Sequence, residues 1–231
     1  AHHHGTHVAG TVAAINNNGI GVCGVAGGSG KGDGARLMST QVFDENNGSG
    51  GFAEAIVYGA DNGAVISQNS WGYLQPNIIE QSVLDAIDYF VEEAGQYEGS
   101  PMKGGIVIFA AGNDGVDLPM YPGYYDKTFC VGALGANNTI AYYSNYGSWV
   151  DISAPGGDQS RGESSGILST LPGNSYGYLQ GTSMACPHVS GVAALAVSQH
   201  GGSDFTADEL RLILESSTHD VDRYNPNYAG K

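Results

Sequence analysis

Charge is what this sequence has least of. Only 13% of its 231 residues are Asp, Glu, Lys or Arg, well under the quarter usual for a globular chain. Eight are Lys or Arg and 23 are acidic, giving a net charge of −15. So few cations in so acidic a field exclude nucleic acid as a partner, because a polyanion is repelled. No apolar run reaches 18 residues, so no membrane span is expected. No signal peptide is visible. There are three cysteines, Cys23, Cys130 and Cys186, without paired spacing. That count excludes a disulfide scaffold and a zinc ribbon, and the simplest expectation is three small buried side chains. Internal repeats and linkers are absent too, so residues 1–231 read as a single domain.

Glycine is what the chain has in excess, with 37 residues scattered through mixed sequence. That pattern implies tight turns and close backbone approaches. Helical and strand-like stretches alternate. Residues 4–15 are small and apolar and predict a buried helix. Residues 36–43 (RLMSTQVF) alternate like a strand, 52–61 predict a helix and 64–69 a short strand. Residues 77–94 carry apolar positions at helical spacing, with Pro76 placed to start the helix. Residues 105–111 (GIVIFAA) form the unbroken apolar run of a strand buried on both faces. Strands are expected at 129–134 and 149–153, a hairpin at 167–171 and 176–179, and helices at 184–200 and 206–217. Thr206 and Glu209 have the spacing of a capping box. The alternation predicts an α/β fold, with a parallel sheet covered on both faces and its site at the strands' carboxyl ends.

Three stretches carry chemistry. In Gly181-Thr-Ser183-Met-Ala-Cys-Pro187-His188, a serine sits near a helix start, with Pro187 expected in the first turn. Backbone N–H groups and the helix dipole would then face whatever Ser183 attacks. Taken alone, Ser183 is read equally well as a plain N-cap. A serine nucleophile needs a base, and His4-Gly-Thr-His7-Val-Ala-Gly10 offers one at the start of a close-packing helix. Asn113 follows the buried strand, where a carboxamide is placed to donate to an oxyanion.

HGTHVAGT, AAGN and GTSMACPHVSGVAAL together resemble the His, Asn and Ser signatures of the subtilase family of serine proteases, in that family's order, from His4 to about Leu214. The resemblance implies a three-layer α/β fold, with a mostly parallel twisted sheet between helices. It implies hydrolysis of peptide bonds through an acyl-enzyme. Ser183 is then the nucleophile, His4 the general base and Asn113 the side-chain oxyanion donor. Ser70, Trp71 and Gly72 resemble one wall of the primary specificity pocket. Ala110, Ala111 and Gly112 resemble the other, with Met120 near its base. Gly48, Ser49 and Gly50 resemble the edge strand that pairs with substrate. The partner implied is an extended polypeptide, docked by strand addition. Family habit implies secretion or the cell envelope.

One departure stands out. The family's triad Asp lies on a strand about thirty residues before the histidine, and this chain has only Ala1, His2 and His3 there. Asp33, Asp44 and Asp61 fall in segments the family uses otherwise. Loss of the equivalent Asp costs on the order of 10⁴-fold in turnover, a magnitude borrowed from a subtilisin. The end at 225–231 resembles the approach to the family's last helix. The expectation is a fragment partial at both ends, lacking the first strand, with the missing N-terminal segment supplied by a parent chain. The alternative is a catalytically inert subtilase-fold module that binds or supports.

No cofactor is required by this chemistry. Asn16-Asn17-Asn18-Gly19-Ile20-Gly21-Val22 resembles the family's calcium loop but holds no carboxylate, so a structural calcium competes with a plain Asn-Gly turn. His3 and His7 have the spacing of a zinc helix, but the following Glu and a third ligand are missing, which excludes a zinc protease and leaves only fortuitous metal binding at His2, His3 and His4. His188 is expected to be structural, His200 and His219 to lie at the surface, and Cys186 to pack.

Overall fold

The computed structural model describes residues 3–44 and 48–229. The chain runs α1 (His3–Ala13), β1 (Phe43–Asp44), β2 (Gly48–Ser49), α2 (Phe52–Asp61), β3 (Ile66–Asn69) and α3 (Gln81–Glu93). It continues through β4 (Ile106–Ala110), β5 (Phe129–Leu134), β6 (Ile152–Pro155), β7 (Ile167–Leu171), β8 (Ser175–Leu179), α4 (Thr182–His200) and α5 (Ala207–Ser216). Strands β3-β4-β5-β6 form one parallel sheet in that order, while β1 with β2 and β7 with β8 are antiparallel pairs.

Strand β4 explains the layering. Ile106, Ile108 and Ala110 join Ala185, Cys186, Val189 and Leu210 of α4 and α5. Val107 and Phe109 join Ile56 of α2 and Val83, Ile87 and Phe90 of α3. Alternate side chains leave opposite faces of a strand. A strand apolar at every position therefore demands cover on both sides, and the result is the three-layer α/β arrangement the sequence implied. Helix α4 packs across all four strands of the sheet, and α1 packs on α4 and β7.

Four expectations are corrected. Residues 36–42 are not a strand; only Phe43 and Asp44 pair, with β2. An alternating run becomes a strand only with a neighbour to take its backbone groups, and among the described residues the backbone bond made to it is at its very end, from the Gly50 N–H to the Val42 carbonyl at 3.0 Å. Leu37 and Met38 are exposed in consequence. Helix α3 starts at Gln81, not at 77, because Asn77 turns left-handed (φ 59) and donates its N–H to the Pro119 carbonyl at 2.9 Å. Pro187 lies inside α4, beyond its first turn. Cys23 is exposed, while Cys130 and Cys186 are buried.

Candidate active site

Helix α4 begins two residues after β8. Its N-cap is Gly181 (φ 147), which caps with no side chain, so Thr182 and Ser183 are the first two helical residues. Capping therefore does not account for Ser183. Its backbone N–H belongs to the first-turn donors that have no intrahelical acceptor. A Cβ added at Gly181 would lie 3.6 Å from Ser183 N, 3.6 Å from Asn113 Oδ1 and 3.8 Å from Asn113 Nδ2. The Ser183 N–H and the Asn113 carboxamide thus border the same small space.

The orientation of Asn113 follows from its partner. The Thr182 N–H donates to the Asn113 side chain at 2.8 Å, and Thr182 Oγ1 donates to the same atom at 3.0 Å. A backbone N–H is an obligatory donor, so the atom facing it is the carbonyl oxygen Oδ1. Nδ2, a pure donor, is left on the other side of the exposed carboxamide. Thr182 Oγ1 in turn accepts from the Gly112 N–H at 3.1 Å. One threonine thereby ties the turn after β4 to the start of α4.

Ser70, one residue past β3, meets the nucleophile candidate twice. Ser70 Oγ donates to the Ser183 carbonyl at 2.8 Å, and Ser183 Oγ donates to the Ser70 carbonyl at 3.3 Å. Pro187 explains the first bond. The Ser183 carbonyl would normally accept from the N–H four residues on, and proline has none. Gln68 Nε2 donates to Ser70 Oγ at 2.7 Å and to Cys186 Sγ at 3.3 Å, which holds the serine in place from below. Burial pushes the Cys186 thiol up to about 11, so it packs and does not react.

His4 is partly exposed on the first turn of α1. His7, one turn further on, is fully buried. Its Nε2–H donates to the carbonyls of Ile167 at 2.8 Å and Gly177 at 3.2 Å. His188 donates from Nδ1 to the Met184 carbonyl at 2.8 Å within its own helix. Burial lowers the pKa of both His7 and His188 below 6.5. His200 and His219 are exposed. Asp33 caps a local turn by accepting from Ser29, and Asp61 accepts from Tyr89.

The residues expected to bind substrate fall in two groups. Ser70-Trp71-Gly72 and Ala110-Ala111-Gly112 leave adjacent strands side by side, since Asn69 is in register with Phe109. The Tyr73 N–H donates to the Tyr121 carbonyl at 3.0 Å and closes the first segment against the chain that follows buried Met120. Gly48, Ser49 and Gly50 lie apart from the main sheet, exposed, in and just after β2. An aromatic chain joins them to the first wall. Phe43 meets Phe52 edge-on at 5.6 Å, and Phe52 stacks on Trp71 at 4.3 Å.

Three supporting residues escaped the sequence. Asn145, buried, accepts from the N–H groups of Asp114 and Val116 and donates to the Ala111 carbonyl at 2.9 Å, shaping the turn that carries Asn113. Tyr143 Oη accepts from the Gly181 N–H at 2.9 Å and donates toward Gly156 and Gly157. Thr182 is the third. Only its place beside Ser183 was a signal; Asn145 and Tyr143 gave none.

In the loop 16–22, Asn18 Oδ1 accepts from the Ile20 N–H at 2.9 Å and Asn17 donates to the Ser29 carbonyl. Asn16 Oδ1 is buried without a partner. The side-chain oxygens of this loop are neutral, and calcium favours six to eight oxygen ligands. Among the described residues no group of three or more His, Cys, Asp or Glu is placed to hold a metal, and no helix is long and apolar enough to cross a membrane. His2, Gly230 and Lys231 lie outside the described residues.

The model of the subtilase family matches residues 1–230. A thermophilic serine proteinase of Bacillus sp. (strain AK1) is 40% identical over 94% of this chain and 47% of its own length. Thermitase of Thermoactinomyces vulgaris is 38% identical over 94% of this chain and 68% of its own. Among solved structures, a protease of Pseudoalteromonas arctica PAMC 21717 superposes with TM-score 0.79 at 37% identity, covering 94% of this chain and 64% of that one. The chain thus spans roughly half to two thirds of the proteins it resembles.

Proposed function

The chain belongs to the subtilase family, and from that premise we propose that it carries the serine endopeptidase chemistry of that family on His4, Ser183 and Asn113. His4 takes the Ser183 Oγ proton as Oγ attacks the substrate carbonyl. The oxyanion receives hydrogen bonds from Asn113 Nδ2 and the Ser183 N–H. Protonated His4 then gives its proton to the leaving amine, and water repeats the sequence on the acyl-enzyme. One observation carries this proposal. Thr182 holds Asn113 by its oxygen, which leaves Nδ2 free to donate, and Nδ2 and the Ser183 N–H both lie within 4 Å of a Cβ placed on Gly181.

The substrate in this proposal is an extended polypeptide, laid between Gly48-Ser49-Gly50 and Ser70-Trp71-Gly72, with one side chain entering between Ser70-Trp71-Gly72 and Ala110-Ala111-Gly112 above Met120. The setting is outside the cytoplasm, by family habit.

A fluorophosphonate probe tests the assignment. Covalent labelling of Ser183, abolished in Ser183→Ala and slowed strongly in His4→Ala, is the expected result. No labelling of the wild-type chain overturns the proposal in favour of an inert binding module.

A further inference from the structure

We propose that His7 is a positioning residue for this chemistry: as a neutral imidazole protonated on Nε2, it fixes the helix that carries His4 against the hairpin that leads into Ser183. The proposal rests on the assignment of His4 and Ser183 above. His7 lies three residues after His4 on α1 and is fully buried. Its Nε2 reaches Ile167 on β7 at 2.8 Å and Gly177 on β8 at 3.2 Å, so one nitrogen spans both strands of the hairpin. Strand β8 ends at Leu179, four residues before Ser183. Helix α1 also packs directly on α4, which carries Ser183, and the His7 side chain adds a directional tie from α1 to the hairpin that leads into that helix.

The backbone around His7 is joined in the same way. Ser169 Oγ donates to the His7 carbonyl at 2.7 Å, and Thr170 Oγ1 donates to the Thr6 carbonyl at 2.9 Å. Gly10 lets the surfaces meet, because a Cβ there would strike both hydroxyls. The tautomer is forced. Carbonyl oxygens only accept, so Nε2 must carry the proton and Nδ1 the lone pair. Nδ1 is buried with no hydrogen-bond partner. A second proton has only that site, in a place where burial disfavours charge. A charge on His3 of the same helix opposes it further, and a charge on His7 would in turn oppose one on His188 of α4. A buried donor that spans two strands also does what a side chain of equal volume does not: it fixes direction as well as distance. A misplacement near 1 Å between reacting groups costs on the order of 10²-fold in rate.

The test compares the wild-type chain with His7→Gln and His7→Leu. Glutamine places an amide N–H near the position of Nε2 and does not titrate; leucine fills space and donates nothing. The readouts are the rate of Ser183 labelling by a fluorophosphonate between about pH 5 and pH 9, and melting followed by circular dichroism. The expected result is labelling slowed on the order of 10²-fold in His7→Leu, restored most of the way in His7→Gln, with the acid-side fall shallower in His7→Gln than in wild type. Equal labelling of wild type and His7→Leu overturns the proposal, as does His7→Gln labelling no better than His7→Leu. If the wild-type chain is not labelled at all, the assignment of His4 and Ser183 fails. Histidine ¹⁵N resonances then still report on His7. A neutral ring with a slowly exchanging Nε2–H at pH 7 supports the bridge to the hairpin, and an Nδ1–H tautomer or an imidazolium overturns it.

Discussion

Asn113 is an exposed carboxamide whose orientation is decided by a backbone N–H. That is a strong device, because the Thr182 amide cannot change its role as Asn113 would by flipping. Replacing Asn113 with leucine removes the outward donor together with the oxygen that accepts from Thr182; Asn113→Asp keeps that oxygen and removes only the donor. The expected result is a fall in kcat on the order of 10²–10³-fold with KM little changed, the magnitude found for a side-chain oxyanion donor in subtilisin, a member of this family. Steady-state kinetics on a peptide substrate check it, and an unchanged kcat would remove Asn113 from the mechanism. At this scale the sequence offers candidates wherever a motif is local: His4, Asn113 and Ser183 each sit in a short stretch of their own. Tyr143 and Asn145 were not legible, because Tyr143 serves Gly181 from 38 residues away and Asn145 serves Ala111 from 34. No spacing along the chain encodes such a pairing.

Helix α4 shows how an element can be legible in existence and misread in detail. Its apolar run and its proline were plain, yet the proline does not open the helix. It removes the N–H that would have reached the Ser183 carbonyl, and Ser70 Oγ takes that acceptor at 2.8 Å. In Ser70→Ala the carbonyl loses its donor, an expected cost of about 0.5–1.5 kcal/mol for a part-buried hydrogen bond. In Pro187→Ala the helix supplies its own N–H. Ser70→Ala made on that background is then expected to cost well under half as much. A double-mutant cycle by chemical denaturation measures the difference, and additive costs would mean that the two groups do not share this acceptor. The other elements divide by the same logic. Helix α2 and strand β5 have the bounds their own patterns predicted, and the Thr206–Glu209 capping box closes as spaced. Residues 36–42 and the start of α3 went wrong because a missing neighbour and a left-handed Asn77 are tertiary facts.

Across the whole molecule, buried titratable groups bound the pH range of stability on both sides. His7 and His188 have folded pKa values lowered from 6.5, mainly by burial. The unfolded chain takes up those protons first, so this stability is full above pH 6.5 and is lost as pH falls toward the folded values. Cys130 and Cys186 have folded values raised above 9.0 by burial, Cys186 to about 11, and Tyr143 is raised above 10.0 for the same reason. There the unfolded chain gives up protons first, so stability is full below about pH 9 and falls as pH rises. All five groups lie in the packing of α1, α4, β5 and the 143–157 segment around the candidate site, so the same burial that shapes the site sets both limits. The expected curve of Tm against pH has its maximum between about 6.5 and 9, and the unfolding free energy on each limb changes by up to about 1.4 kcal/mol per pH unit for each group involved. Differential scanning calorimetry from pH 4 to pH 11 checks it. His188→Gln should flatten the acid limb and Cys186→Ala the alkaline one, each leaving the other limb in place. A substitution that lowers Tm equally at every pH would show that its group contributes packing alone.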